Sequence, residues 1–316
     1  MKIQEIARLA GVSPSTVSRV FSHHPNISEE IRERVFAISK EHSYHPRLST
    51  KQRNVVIITP YQSVYPVQCC VEMILMALTR ELPRRGFRLE ILPQDNLERL
   101  DGIQFCAAAA IGAVPGGFKH WADRFSVPLV VIDRGAKLNS PGVYLVRSDE
   151  AQGMELAIDH LYSRGCRKTG CIIHGKPGTG NADIRHEAIC RILKKKGLPA
   201  NDALIHFGSD EEYLEIIGKL LRHRIDSLFC PGGSGGILAA YALSLFGRQI
   251  PEDISLIASE QTFFSRYGTP PQTTITPDYK AMASSVADVI ESRIGGQKFP
   301  PRTVLPYLLI QRESVR

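Results

Sequence analysis

The sequence predicts an all-α head followed by an α/β core of parallel sheets in two lobes. Three observations carry this expectation. The first 46 residues hold three short helical periodicities with a glycine turn between the first two, and from Val55 onward short apolar runs alternate with amphipathic stretches. The positive charge is also concentrated in the head. Alternating strand-like and helix-like segments put helices on both faces of a parallel sheet, and about 260 residues suffice for two such lobes.

Length agrees, because 316 residues at about 150 per domain suggest two domains and room for a third small one. With 43% hydrophobic and 22% charged residues the chain is globular, not disordered, collagen-like or coiled-coil. No apolar run approaches the about 18 residues of a membrane span. The start, Met1-Lys2-Ile3-Gln4-Glu5, lacks an apolar signal core, so a cytoplasmic protein without membrane partners is expected. The seven cysteines include the adjacent pair Cys69-Cys70 and form no Cys-x-x-Cys, which predicts reduced thiols.

The head comes first. Ile3, Ile6, Ala7, Leu9 and Ala10 recur at helical spacing, and Gly11 stops that helix. Ser13 is placed to cap a second helix over about 14–21, with Pro14 in the first position, where its missing amide hydrogen costs nothing. A third helix begins at Ser28, carries Glu29 and Glu30 near its positive end, and buries Ile31, Val35 and Ile38. Two short helices around a tight turn form a helix-turn-helix, whose second helix enters the DNA major groove; the same spacing also suits a small helical bundle without nucleic acid. Charge favours the first reading. Residues 1–53 carry nine Lys/Arg against five acids, so +4 of the net +7 lies in one sixth of the chain.

In the body, strands are expected at 55–58, 88–92, 108–114, 129–133, 143–146, 168–173, 227–230 and 254–259. Helices are expected near 71–85, 118–125, 150–164, 185–196 and 234–246, with a further short one after the strand at 88–92. The stretch Met73–Leu78 suits either core or an interface. Gly175-Lys176-Pro177-Gly178-Thr179-Gly180 is only superficially a phosphate loop, since it lacks the Gly-Lys-Ser/Thr ending. His23, His24, His42 and His45 have no cysteine or carboxylate cluster beside them, so no metal and no cofactor are expected. No convergent nucleophile or acid/base pair suggests an enzyme.

Longer motifs sharpen the reading. Ile6-Ala7-Arg8-Leu9-Ala10-Gly11-Val12-Ser13, Thr16-Val17-Ser18-Arg19-Val20, Asn26-Ile27-Ser28, Arg32-Glu33-Arg34-Val35 and Tyr44-x-Pro46 together resemble the DNA-binding head of the lactose-repressor (LacI) family of bacterial transcription regulators. The resemblance continues, more weakly, through residues 161–168, 250–257 and 269–275. It implies a core like that of periplasmic sugar-binding proteins, with chain crossings near 162, 276 and 303. The domains expected are a head at 1–46, a hinge at 47–54 and a core at 55–316. Lobe one would hold about 55–162 and 277–302, and lobe two about 163–276 and 303–316.

The resemblance also assigns roles. Pro14, Ser15 and Arg19 fall on the base-facing side of the recognition helix, with Arg19 the reader of guanine, whose O6 and N7 suit a planar fork of two donors. Pro14 departs from the pattern and either touches a thymine methyl or reads nothing. Ser13, Thr16, Ser18 and Asn26 match positions that anchor phosphates. In the core, Arg185 matches an arginine that grips effector hydroxyls, Asp149 an acidic or polar position near the lobe crossing, and Glu260 a position where aspartate is usual. Tyr61 and Gln62 stand in the loop after the first strand, and Phe263 or Phe264 is placed to stack on a sugar face. The Asn-Asp usual after the strand at 227–230 is replaced within Cys230-Pro231-Gly232-Gly233-Ser234-Gly235-Gly236, which implies an unusual effector or loss of effector control.

The hinge departs most. Between Pro46 and Val55 stand eight residues, without the family's Ala-Arg-x-Leu wedge. Arg47, Lys51 and Arg53 are therefore expected to follow the DNA backbone electrostatically, with Leu48 playing little part. The expected protein is a homodimeric repressor on a pseudopalindromic operator, controlled by a small ligand such as a sugar. A ligand-independent regulator is the alternative, and a solute-binding receptor is the alternative of another class.

Overall fold

A computed structural model describes residues 2–21, 26–42, 44, 53–60, 70–112, 118–133 and 139–316. The head consists of α1 (Ile3–Ala10), α2 (Pro14–Phe21) and α3 (Glu29–Glu41). Gly11 at φ 65° ends α1, and the Val12 amide turns back to the Ala7 carbonyl at 3.0 Å, a closure that favours a residue without Cβ. Ile6, Ala7, Ala10, Val17, Val20, Val35 and Tyr44 form one buried cluster, with Ile31 and Ile38 half-buried against it. Phe21 adds edge-to-face contacts with Phe36 and Tyr44 at 5.5 and 5.8 Å. Full burial of each Val or Ile side chain contributes about 1.5–3 kcal/mol, which is how three short helices hold together.

The chain then runs through β1 (Asn54–Thr59), α4 (Cys70–Arg84), β2 (Arg88–Pro93), a 3-10 helix over Gln94–Gly102, β3 (Ala107–Ile111), α5 (Trp121–Arg124), β4 (Leu129–Ile132) and β5 (Val143–Ser148). Next come α6 (Glu150–Ser163), β6 (Thr169–His174), α7 (Gly180–Lys195), β7 (Ile205–Gly208), α8 (Tyr213–Arg222), β8 (Ser227–Cys230), α9 (Gly235–Leu245), β9 (Ser255–Ser259), α10 (Thr262–Tyr267) and β10 (Thr273–Pro277). It closes with α11 (Tyr279–Ile294), β11 (Arg302–Leu305) and β12 (Tyr307–Ile310).

Two six-stranded sheets result. The first has the order β11-β5-β4-β3-β1-β2, and every pair among β1 to β5 is parallel. Its central strands β1, β3 and β4 are buried on both faces, Ala107–Ala110 being fully so, which is why they read as continuous apolar runs, whereas the edge strands β2 and β11 are partly exposed. In α4 the residues Ile74, Leu78 and Leu82 face the core at four-residue spacing while Met76 stays 40% exposed. An ion-pair hub binds this unit together: Arg85 reaches Glu81 at 2.7 Å, Asp288 at 2.6 Å and Glu291 at 2.9 Å.

The second sheet has the order β12-β10-β9-β8-β6-β7, parallel except for β12, which runs antiparallel to β10. Its strand order reverses between β6 and β8, because β7 lies on one side of β6 and β8 on the other. Such a reversal opens a crevice outside the carboxyl ends of the strands, where open α/β sheets bind ligands.

The chain leaves the first unit after Arg147, re-enters at Tyr279 and leaves again after Val304. The first crossing thus comes earlier than the expected 162. The cause is α6, which packs on α7, β10 and β12 of the second unit. At Gly153 of α6 a Cβ would lie 2.7 Å from the Tyr307 ring, and the Tyr307 amide donates to Gln152 Oε1 at 2.7 Å. The helix expected at 185–196 starts at Gly180, one turn and more upstream of Arg185. β7, α8, α10, β10, α11, β11 and β12 were not anticipated.

Candidate nucleic-acid interface and ligand cradle

In the head, the Ser13 hydroxyl accepts the Thr16 amide at 3.0 Å, the capping bond expected of that serine, and lies 2.7 Å from Ser15 Oγ and 2.8 Å from Thr16 Oγ1. The cap fixes the start of α2. Val17 and Val20 point into the head core, so Pro14, Ser15 and Arg19 fall on the exposed side, with Thr16 and Ser18 half-buried at its margin. Ser15 and Arg19, four apart, share one helix face. Asn26 is exposed before α3. The row combines one guanidinium with short hydroxyl side chains, chemistry suited to reading a base edge and gripping phosphates.

Of the hinge cations, Arg47 and Lys51 lie outside the described residues. The Arg53 guanidinium stacks over the Phe87 ring at 4.3 Å and stands 3.7 Å from Glu291, both in the first unit.

In the second unit, the expected effector residues are already partnered within the chain. Arg185 forks onto Glu150, Nε to Oε2 at 2.7 Å and Nη2 to Oε1 at 3.0 Å, and Asn181 adds a bond to the same carboxylate at 3.3 Å. Glu150 is 2% exposed. Burial disfavours the charged guanidinium, but Glu150 outweighs it and holds the Arg185 pKa above its ordinary value. Glu260 is gripped by Arg312 through two bonds of 2.9 Å and takes a further bond from Thr274. Asp149 caps α6, its Oδ1 accepting the Gln152 amide at 3.1 Å. Phe263 is 62% exposed and packs on Tyr267 and Phe264. Tyr61 and Gln62 lie outside the described residues.

Around the strand-order reversal the structure gathers residues that sequence reasoning missed. His174 ends β6, and its Nδ1 stands 3.5 Å from Oδ1 of Asp210, which follows β7; both atoms are buried and neither makes a hydrogen bond. Gly232 and Gly233 follow β8 with φ of 89° and 54°. A Cβ on Gly232 would lie 2.4 Å from Arg185 Nη1, and one on Gly233 would lie 2.4 Å from His174 Nδ1. The glycines that replace the family's Asn-Asp are therefore the space that these two side chains occupy. Ser259 Oγ accepts the Gly232 amide at 2.7 Å, and Gln261, after β9, donates to the Gly233 carbonyl at 2.9 Å. The available signal was positional, since every one of these residues ends or follows an apolar run.

Among the described residues no cluster of three or more His, Cys, Asp or Glu is arranged to hold a metal, and no helix is long and apolar enough to cross a membrane. The six described cysteines are free thiols, and burial pushes Cys106 up to about 12.

Known proteins resemble the chain over its whole length. Residues 2–47 match the family described as bacterial regulatory proteins, lacI family, and residues 158–315 match the periplasmic binding protein-like domain. The chain is 26% identical to the HTH-type transcriptional regulator DegA of Bacillus subtilis strain 168, covering 99% of this chain and 97% of that one. It is 26% identical to the HTH-type transcriptional repressor PurR of Pasteurella multocida strain Pm70, over 99% and 98%. The same identity holds for the sucrose operon repressor of Streptococcus mutans, over 99% of each chain. Among solved structures, a transcriptional regulator CelR–cellobiose complex superposes with a TM-score of 0.72 at 23% identity over 99% of both chains. The lac repressor dimer bound to operator and an anti-inducer gives 0.70 at 18% identity, over 99% of this chain and 98% of that one.

Proposed function

The chain belongs to the lacI family of bacterial regulatory proteins, a DNA-binding head joined to a periplasmic-binding-protein-like core, and from this premise we propose how it acts. It is a DNA-binding transcription repressor. It works as a cytoplasmic homodimer that places two copies of α2 in successive major grooves of a pseudopalindromic operator, with Arg19 and Ser15 reading bases and Ser13, Thr16, Ser18 and Asn26 holding phosphates. The observation that carries this is the capped α2, which buries Val17 and Val20 and leaves Pro14, Ser15 and Arg19 exposed together. Dimerisation is supported by the exposed aromatic face of α10, where Phe263, Phe264 and Tyr267 are 62%, 43% and 65% exposed.

A small ligand, in the sugar class, sets operator affinity through the second unit. Support comes from the reversal of strand order between β6 and β8 and from the polar groups collected there. Such a ligand acts only through unequal affinity for the DNA-competent and incompetent states. The protein is a regulator and carries out no chemistry on its ligand.

Selection of bound fragments from genomic DNA at moderate salt tests the reading. A single recurring pseudopalindrome is expected, released by a sugar added to the bound complex. Recovery without sequence preference would refute the regulator, and selective recovery that no sugar alters would favour the ligand-independent form.

A further inference from the structure

We infer that the groove between α8 and α9 of the second unit docks an acidic protein segment, one that seats an apolar side chain beside carboxylates.

The shape comes from α8. Its core side is complete in Tyr213, Ile216, Ile217 and Leu220, all buried. A second apolar line, Leu214 and Leu221, runs along the solvent side with Gly218 between them, a spacing that keeps all three on one helix face. Leu214 is 45% exposed. Gly218 stands inside the helix, where glycine is poorly tolerated, and a Cβ there would lie 3.1 Å from the tip of the Phe246 ring. The glycine is thus the floor on which that ring lies. Gly247, at φ 63°, ends α9, and the Arg248 amide turns back to the Leu243 carbonyl at 2.9 Å, which fixes the backbone carrying Phe246 and Arg248 at the rim. Phe246 is 43% exposed.

The rim is positive. Lys219, Arg222 and Arg248 line the groove against a single acid, Glu215, which Lys219 already holds at 2.6 Å. Among the described residues Arg222 and Arg248 make no ion pair and no side-chain hydrogen bond. The negative ends of α8 and α9 favour cations here but leave the guanidinium donors open.

Charge and apolar surface together choose the occupant. A second copy seated face to face would set Arg222 and Arg248 against their own equivalents, like charge on like. A nucleic acid would satisfy the guanidiniums through its phosphates and leave Leu214 and Phe246 uncovered. An acidic segment meets both demands. Its carboxylates take two-pronged bonds from the guanidiniums, and an apolar anchor covers the Phe246 ring and Leu214.

The test is selection on the full chain from a displayed library of short random peptides, followed by titration of the enriched peptides, with non-operator duplex DNA as a parallel probe. The variants are Phe246→Ser and the double variant Arg222→Glu, Arg248→Glu; melting temperature checks folding and sedimentation reads the oligomeric state. The enriched peptides are expected to be acidic with an aromatic or aliphatic anchor, and to lose about tenfold or more in affinity in each variant. The double variant is expected to bind the same peptides again when their acidic residues are replaced by lysine, a reversal that mere loosening of the fold would not produce. The oligomeric state is expected to stay unchanged. Enrichment without an acidic bias, no enrichment at all, or full affinity in both variants overturns the inference. Loss of the oligomeric state in the double variant would make the groove a contact between copies, and non-operator DNA bound through Arg222 and Arg248 would make it a nucleic-acid surface; either result also overturns it.

Discussion

Arg185 and Glu150 form a closed two-pronged ion pair, Nε to Oε2 at 2.7 Å and Nη2 to Oε1 at 3.0 Å, with the carboxylate 2% exposed. The residue that the sequence marks as a ligand grip is thus first a structural partner, and the two roles separate in variants.

Removing one member of such a pair strands a buried charge. Glu150→Ala is expected to cost about 3–5 kcal/mol of stability, and Glu150→Gln clearly less, because the amide still accepts one bond from the guanidinium. Urea unfolding curves read both. Equal and small losses would show that the pair is not buried in solution.

The Gly232 and Gly233 positions combine positive φ with close approach, so alanine there meets both backbone strain and a side-chain clash. Gly165 has φ 87° with open space around it. Gly232→Ala and Gly233→Ala are expected to destabilise by about 1–3 kcal/mol each, and Gly165→Ala by less. Thermal denaturation of the three variants decides it, and the same loss in all three would mean that Arg185 and His174 move aside freely.

The Arg85 hub gives a pH dependence with a definite sign. Hydrogen bonds from Arg84 and Arg85 hold the Glu81 carboxyl down to about 2, against an ordinary 4.5. A depressed carboxylate contributes stability fully above its unfolded value, and that contribution is lost as pH falls toward about 2. The melting temperature of the unaltered chain should therefore fall more steeply than that of Glu81→Gln between pH 4.5 and the acid limit. Parallel curves would contradict the network.

Arg53 is expected to be a structural residue. Since its guanidinium stacks on Phe87 and faces Glu291, Arg53→Ala should lower the melting temperature and leave the dependence of operator affinity on salt unchanged. A drop in the slope of log affinity against log salt by about 0.9 would restore it as a phosphate contact.

Much of this was legible in the sequence, for identifiable reasons. Gly11, Ser13 and Pro14 mark local turn and cap chemistry, and local rules sufficed to place α1 and α2. The apolar runs at 55–58, 129–133 and 227–230 became strands because both faces of each sheet are covered. Long-range pairing was not legible. That Glu150 meets Arg185 across 35 residues, or that Arg312 meets Glu260 across 52, depends on which strands and helices become neighbours. β12 escaped notice because an antiparallel edge strand at the chain's end carries no helix after it. The hinge cations illustrate the same limit, since nothing local tells that Arg53 turns to Phe87.

The central claim is that α2 reads DNA through Arg19. The most direct measurement is the affinity of Arg19→Ala, against the unaltered chain, for a panel of operators with each base pair of one half-site changed in turn. The expected result is a loss of about 1–3 kcal/mol on the parent operator, with preference relaxed at a single guanine-bearing position and kept elsewhere. A loss spread equally over every operator in the panel, or no loss at all, would contradict it.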